Sequence, residues 1–303
     1  MTMTISRPVH ALLQGVVDYA GLFPPAERSM SEAVAAYAAY RAGPDAWALG
    51  RFVVPVARLD ELAGAVAAHG AAAHGQPWPL SVLAGAGPAA DAERVAAFGE
   101  RHGARLRVEA VEAKGATTEQ IDAVRRAFPA PLELYVEVPI DGDPTALVRH
   151  IGAIGARAKV RTGGVTPGAF PAPAALARFL AACAAERVPF KATAGLHHPL
   201  RAVYPLTYAP DAPTGTMFGY LNVFLAAAWL REGMPVADAE RLLDERSPEA
   251  VRFDDDGVAW REHRLSAERL EAARREHAIG FGSCSFTEPL ADLRSLALLP
   301  PTP

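Results

Sequence analysis

The chain is short of several things, and each shortage excludes a class of protein. Only two of its 303 residues are cysteines, Cys183 and Cys284, so there is no disulfide framework, and a cytoplasmic location is expected. Neither sign of charge dominates: the formal net charge is -4 and the pI near 6.2, which gives no reason to expect nucleic acid or an anionic membrane as a partner. No run of ~18 apolar residues occurs, because the Ala-rich stretches are broken by Arg, Glu or Asp, and no membrane span is expected. The N-terminal MTMTISRPVH has no basic segment followed by an apolar one, so no signal peptide is expected. No Gly-x-Gly-x-x-Gly turn follows an early strand, which weighs against a doubly wound dinucleotide-binding sheet.

What the sequence does contain is alternation. Strand-like runs at 50–56, 79–85, 105–114, 132–140, 157–164 and 190–196 are each followed by a helical stretch, several of which open at Asp, Thr or Ser and close at Gly. Two further units at the ends, 15–25 and 278–286, bring the total to eight, the number that closes a (β/α)₈ TIM barrel. The expectation is one such domain over residues 1–303. Residues 235–275 are left over as an insertion of helix, hairpin and helix, the hairpin marked by Asp-Gly in VRFDDDGVAW. The stretch YLNVFLAAAWL is more apolar than a half-exposed barrel helix needs, so either the insertion or a second subunit covers it, and a homodimer is expected.

Strand parity then sorts the polar residues. In LELYVEVPI, Leu134, Val136 and Val138 suit the helix face, which turns Glu133, Tyr135 and Glu137 inward. In RLRVEAVEAK the same logic puts Leu106, Val108 and Ala110 outside and Arg107 and Glu109 inside, with Glu112 and Lys114 at the strand end. AKVRTGG places Lys159, Arg161 and Gly163 inside, and FKATAGLHHP places Lys191, Thr193, Gly195 and His197 there. Asp18 is inward if Val17 and Tyr19 face the helices. Function gathers at the C-terminal strand ends, so Asp18, Glu109, Glu137, Lys159, Arg161, Lys191 and one histidine are expected at one mouth. Structural ion pairs would explain any one of these residues, whereas the group together has the composition of a site that perturbs proton affinities.

Two neighbouring lysines have a specific chemical use. A desolvated amine beside another cation loses its proton more easily, and the neutral amine can attack a carbonyl to form a Schiff base. Lys-x-x-Thr-Gly at Lys159 to Gly163 and Lys-x-x-x-Gly at Lys191 to Gly195 resemble the strand motifs of the deoxyribose-phosphate aldolase type of class I aldolase. The resemblance covers these two short motifs and the barrel order, and it departs at Arg161 and at the pair Gly163-Gly164. It implies Lys159 on the sixth strand as the Schiff-base former and Lys191 on the seventh as its partner. It also implies a carboxylate, Glu109 or Glu137, as proton relay, and no cofactor.

Further candidates complete the mouth. Arg161 and Arg201 have the forked geometry that holds a carboxylate or phosphate on a small anionic substrate. The loop GFGSCSF offers backbone N–H groups with Ser283, Cys284 and Ser285 as contacts, and Thr193, Gly164, His198 and Asn222 are further substrate-binding candidates. Paired prolines in DYAGLFPPA rigidify the loop after the first strand, which either sets Phe23 over the mouth as an apolar lid or is a simple structural loop. Two other readings stay open. One is a zinc- or manganese-dependent hydrolase, lyase or isomerase with His197, His198 and Glu137 as ligands. The other is a non-catalytic barrel that binds a small molecule.

Overall fold

Runs of alternating polarity followed by capped helices build the barrel, and the computed structural model describes residues 5–70 and 76–301 of it. Its eight parallel strands are β1 (Val17–Tyr19), β2 (Leu49–Pro55), β3 (Trp78–Leu83), β4 (Leu106–Lys114), β5 (Glu133–Glu137), β6 (Arg157–Arg161), β7 (Phe190–Thr193) and β8 (Ala278–Ser283). They close in the order β1-β8-β7-β6-β5-β4-β3-β2, a (β/α)₈ TIM barrel with its helices outside. The first four residues of MTMTISRPVH lie outside the described residues.

A short helix, α1 (Arg7–Leu13), precedes β1. The outer helices after β1 to β7 are α2 (Met30–Ala42), α3 (Leu59–His69), α4 (Pro88–His102), α5 (Thr118–Ala127), α6 (Thr145–Ala153), α7 (Pro173–Ala185) and α8 (Tyr220–Arg231). Their ends follow local chemistry. Ser29 and Glu32 form a reciprocal capping box at α2, Thr117 accepts from the Gln120 N–H at α5, and Gly70 closes α3 with φ 72°. The apolar faces of strands and helices meet in one core. Tyr19, Tyr37, Phe52 and Trp78 pack there as offset and edge-to-face rings at 4.9–6.4 Å.

After α8 comes the insertion: α9 (Val236–Leu243), three antiparallel strands at 251–253, 257–260 and 263–266, and α10 (Ala267–Glu276). The expected hairpin is there, with a third strand that the sequence did not signal. Every residue of α8 from Tyr220 to Leu230 is buried, and α7, α9 and α10 pack over it. The chain itself therefore covers the apolar helix that had suggested a second subunit. After β8, α11 (Thr287–Ser295) completes the ring. One helical stretch, Pro167–Ala185, is apolar and long enough by composition to cross a membrane. It is split between a 3₁₀ turn at Pro167–Ala169 and the 13-residue α7, about 20 Å long, which is short of a ~30 Å hydrocarbon core.

Two irregularities shape the mouth. Leu80 pairs with Val108 but Ser81 pairs with Ala110, so Glu109 is the extra residue of a bulge in β4. A bulge inverts parity beyond it: Ala110 and Glu112 turn inward beside Glu133 and Tyr135, and Val111 and Ala113 face the helices. The second irregularity is an antiparallel hairpin between β7 and α8, formed by 202–205 and 214–217, in a proline-rich stretch that had no strand signature.

Candidate active site

The inward residues at the C-terminal half of the barrel form a ladder of alternating charge. Arg161 Nε lies 3.4 Å from Glu137, whose other oxygen is 2.9 Å from Lys159 Nζ. Lys159 reaches Glu112 at 2.8 Å, Glu112 pairs closely with Lys191, and Lys191 reaches Asp18 at 2.5 Å. Three acids thus face three bases in one continuous line. Ser81 donates to Glu112 at 2.6 Å, and the Arg51 backbone N–H donates to Asp18 at the same distance. The register of β5, β6 and β7 produces this contact, because Glu137 pairs with Lys159 and Lys159 with Lys191 on adjacent strands.

Exposure falls along the ladder, from 52 % for the Arg161 side chain to 5 % for Lys159 and 2 % for Lys191 and Glu112. The electrostatics follow from that burial. Burial by itself would drive Glu112 toward its neutral acid, but Lys159 and Lys191 hold it well below the usual carboxylate range. Glu137 is lowered in the same way, chiefly by Lys159 against the effect of burial. Burial would likewise favour a neutral Lys191, yet Asp18 and Glu112 raise its proton affinity above that of a free lysine. Lys191 is a fixed ammonium.

Above the ladder opens a cavity of about 540 Å³. Lys159, Lys191 and Glu112 form its floor and Arg161 and Thr193 its side, while Phe23, Val53, Leu83, Leu206 and Met217 give it apolar walls. The unexpected hairpin supplies Leu206 and Met217, and Tyr208 lies between its strands. On the same wall, Cys284 Sγ lies 4.0 Å from Nδ1 of His197, and Glu288 takes that nitrogen at 3.0 Å. The Tyr208 hydroxyl is 3.6 Å from the sulfur and 3.2 Å from Glu288. Burial alone would favour neutral His197, but the hydrogen bonds its Nδ1–H donates toward Cys284 and Glu288 raise it to about 9. It is an imidazolium at neutral pH.

The strand leaving the floor is also strained. Ala194 and Gly195 follow β7 with φ 60° and 70°, and the Thr162 hydroxyl locks the turn by donating to the Ala194 carbonyl at 2.6 Å. A Cβ on Gly195 would meet Gly163 Cα at 2.9 Å, and one on Gly163 would meet the Phe170 ring at 2.3 Å. The glycines that end β6 and β7 are thus explained by a backbone crossing under Phe170.

Most of the expected site residues meet here: Lys159, Lys191, Glu137, Asp18, Arg161, Thr193, Gly164, His197, His198 and Cys284. Six do not. Glu109 points inward but lies at the other end of the barrel with Arg51 and Arg107, because it stands three residues before Glu112 on β4 and falls short of the mouth. Gly163 makes room for Phe170. Arg201 binds Asp244 at 2.8 Å and covers the Phe218 ring, away from the cavity. Asn222 is buried, accepting from the Arg201 N–H and donating to the carbonyls of Leu242 and Glu245, so it ties the loop after β7 to the insertion. Ser283 and Ser285 use their hydroxyls on the Ser285 and Glu288 N–H groups at the entrance to α11.

The metal set His197, His198 and Glu137 is not assembled either. The two Nδ1 atoms face Glu288 and Asp292, and Glu137 faces Lys159 and Arg161. Among the described residues, no group of three or more His, Cys, Asp or Glu side chains is arranged to hold a metal ion.

Sequence reasoning missed Glu112, Glu288 and Tyr208. It also passed over one available signal: of the 30 Lys and Arg residues only three are lysines, Lys114, Lys159 and Lys191. All three sit on β4, β6 and β7, two of them in the ladder and the third paired in register with Glu137. No protein family matches the chain, and no curated protein sequence does.

Proposed function

We propose that this protein is an aldolase-type lyase that acts on a small anionic carbonyl compound through a Schiff base on Lys159. The observation that carries the reading is the choice of cation. Everywhere else the chain meets a need for positive charge almost entirely with arginine, which stays protonated and cannot attack a carbonyl. In the floor of the apolar-walled cavity at the barrel mouth it places two primary amines.

The arrangement suits the steps of that chemistry. A neutral Lys159 adds to the carbonyl carbon, and its proton passes to Glu112 or Glu137, both within hydrogen-bond reach. Loss of water from the carbinolamine gives an iminium whose positive charge occupies the place of the ammonium, so the two carboxylates remain paired. The iminium then withdraws electrons from the neighbouring C–C bond. Lys191, fixed as a cation on the next strand, is the kind of neighbour that makes an adjacent lysine nucleophilic. Arg161 has one long contact to Glu137 and is half exposed, which leaves its guanidinium fork for the anionic end of a substrate. His197, charged at neutral pH, donates a proton or hydrogen bond rather than accepting one.

The test is borohydride reduction in the presence of pyruvate or glycolaldehyde, followed by mass mapping. A reduced adduct on Lys159, absent in Lys159→Met, is the expected result. A protein that turns over a carbonyl substrate without any lysine adduct would overturn the assignment.

A further inference from the structure

We propose that Cys284 is a second nucleophile of the cavity, placed to capture an aliphatic aldehyde as a hemithioacetal independently of the lysines. Cys284 follows the last residue of β8 and lines the cavity, with the His197 ring and the Tyr208 hydroxyl at 4.0 and 3.6 Å from its sulfur. His197 is 7 % exposed and lines the same cavity. Among the described residues nothing pairs with its Nε2. In a cysteine–histidine–acid relay, sulfur and acid take different ring nitrogens, so that the ring passes a proton between them. Here Cys284 and Glu288 share Nδ1. The ring therefore stands as a cation beside the sulfur and keeps one N–H for a ligand in the cavity.

The step balances without an oxidant or a leaving group. The Cys284 sulfur forms a bond to the aldehyde carbon as its S–H proton leaves to solvent, the C=O π pair moves onto oxygen, that oxygen takes the Nε2 proton of His197, and solvent returns a proton to the ring. The sum is thiol plus aldehyde giving hemithioacetal. The apolar walls at Phe23, Leu206 and Met217 suit an aldehyde with a short hydrocarbon chain. Cys183 supplies an internal contrast, because it is enclosed in the α7 core and burial drives its thiol toward the protonated form.

The experiment is iodoacetamide labelling of the folded full chain at neutral pH, with each cysteine followed by mass mapping, with and without millimolar butanal. Cys284 is expected to label at least about tenfold faster than Cys183, and butanal is expected to slow it. His197→Gln should slow labelling of Cys284 about tenfold or more, with Tyr208→Phe as a milder variant that keeps the ring packing. Running the butanal arm in Lys159→Met separates this site from the lysine chemistry, since protection should persist where no Schiff base at that position can form. Labelling of Cys284 no faster than Cys183, or no protection by butanal in Lys159→Met, would overturn the proposal.

Discussion

The barrel interior is ionic at both ends, and the two ends are built from different cations. At the N-terminal end, Arg51 bridges Glu109 and Glu133 at 3.2 and 2.9 Å, and Arg157 binds Glu133 and the Tyr135 hydroxyl at 2.8 and 2.9 Å. Arg51, Glu109 and Tyr135, with Asp18 and the underside of Lys191, line a cavity of only about 220 Å³. At the C-terminal end the cations on the floor are lysines, nearly inaccessible and open to the larger apolar-walled cavity. An arginine fork fits a carboxylate with two donors and holds its charge, which suits a layer whose task is to close the barrel. A lysine offers less geometry and a removable proton. Under the proposed function, the contrast is between a structural layer and a reactive one within the same eight strands.

Exchanging the cations breaks this comparison most directly. Lys159→Arg keeps the charge facing Glu112 and Glu137 but removes the primary amine. Borohydride adducts at this position should vanish and turnover should fall on the order of 10³-fold or more. The extra bulk should cost roughly 1–3 kcal/mol of stability. Retention of turnover in this variant would place the chemistry elsewhere.

Next comes the carboxylate between the two lysines. Glu112→Gln leaves Lys159 and Lys191 buried with only Glu137 and Asp18 as acidic partners, and the loss should reach about 3–5 kcal/mol in urea unfolding at neutral pH. Because Glu112 titrates well below a free carboxylate, its contribution is present at neutral pH and is lost as the solution is acidified below the ordinary carboxylate range. The difference between the two proteins should therefore shrink on acidification. A loss under about 1 kcal/mol would mean that the ladder is more hydrated than its burial indicates.

The fold was largely legible because eight period-two runs with capped helices leave few other topologies, and the two strand lysines landed on β6 and β7 as counted. Glu112 was not legible as the central acid. A one-residue bulge leaves no mark in RLRVEAVEAK, and beyond it every side chain changes face. The mouth wall formed by Leu206, Tyr208 and Met217 was hidden for another reason: its hairpin lies among prolines that suppress a strand signature. Glu288 belongs to a helix far along the chain, and only barrel closure brings it to His197.

His197 tests the upper wall by pH. Its proton affinity is raised from the ordinary histidine value to about 9, so its stabilising contribution is complete below about pH 6.5 and disappears as pH rises through 9. The shift corresponds to on the order of 3 kcal/mol. His197→Gln should thus lower stability at pH 6 by roughly that amount and converge on the parent protein above pH 9. A gap that does not change with pH would mean that His197 contributes packing and not charge.

The smallest effect belongs to the structural end. Arg157→Lys keeps the charge beside Glu133 but shifts the one donor, Nη1, that now reaches both Glu133 and the buried Tyr135 hydroxyl, and the Arg157 and Glu133 side chains are partly solvated. A loss of about 1 kcal/mol is expected, with borohydride trapping and Cys284 labelling unchanged. The conservative exchange in this direction should therefore be tolerated, whereas Lys159→Arg should abolish adduct formation. If Arg157→Lys also abolished trapping, the two ionic layers would be coupled through Tyr135, whose ring lies 5.8 Å from Lys191 Nζ. The arginine layer would then belong to the reactive site and not merely support it.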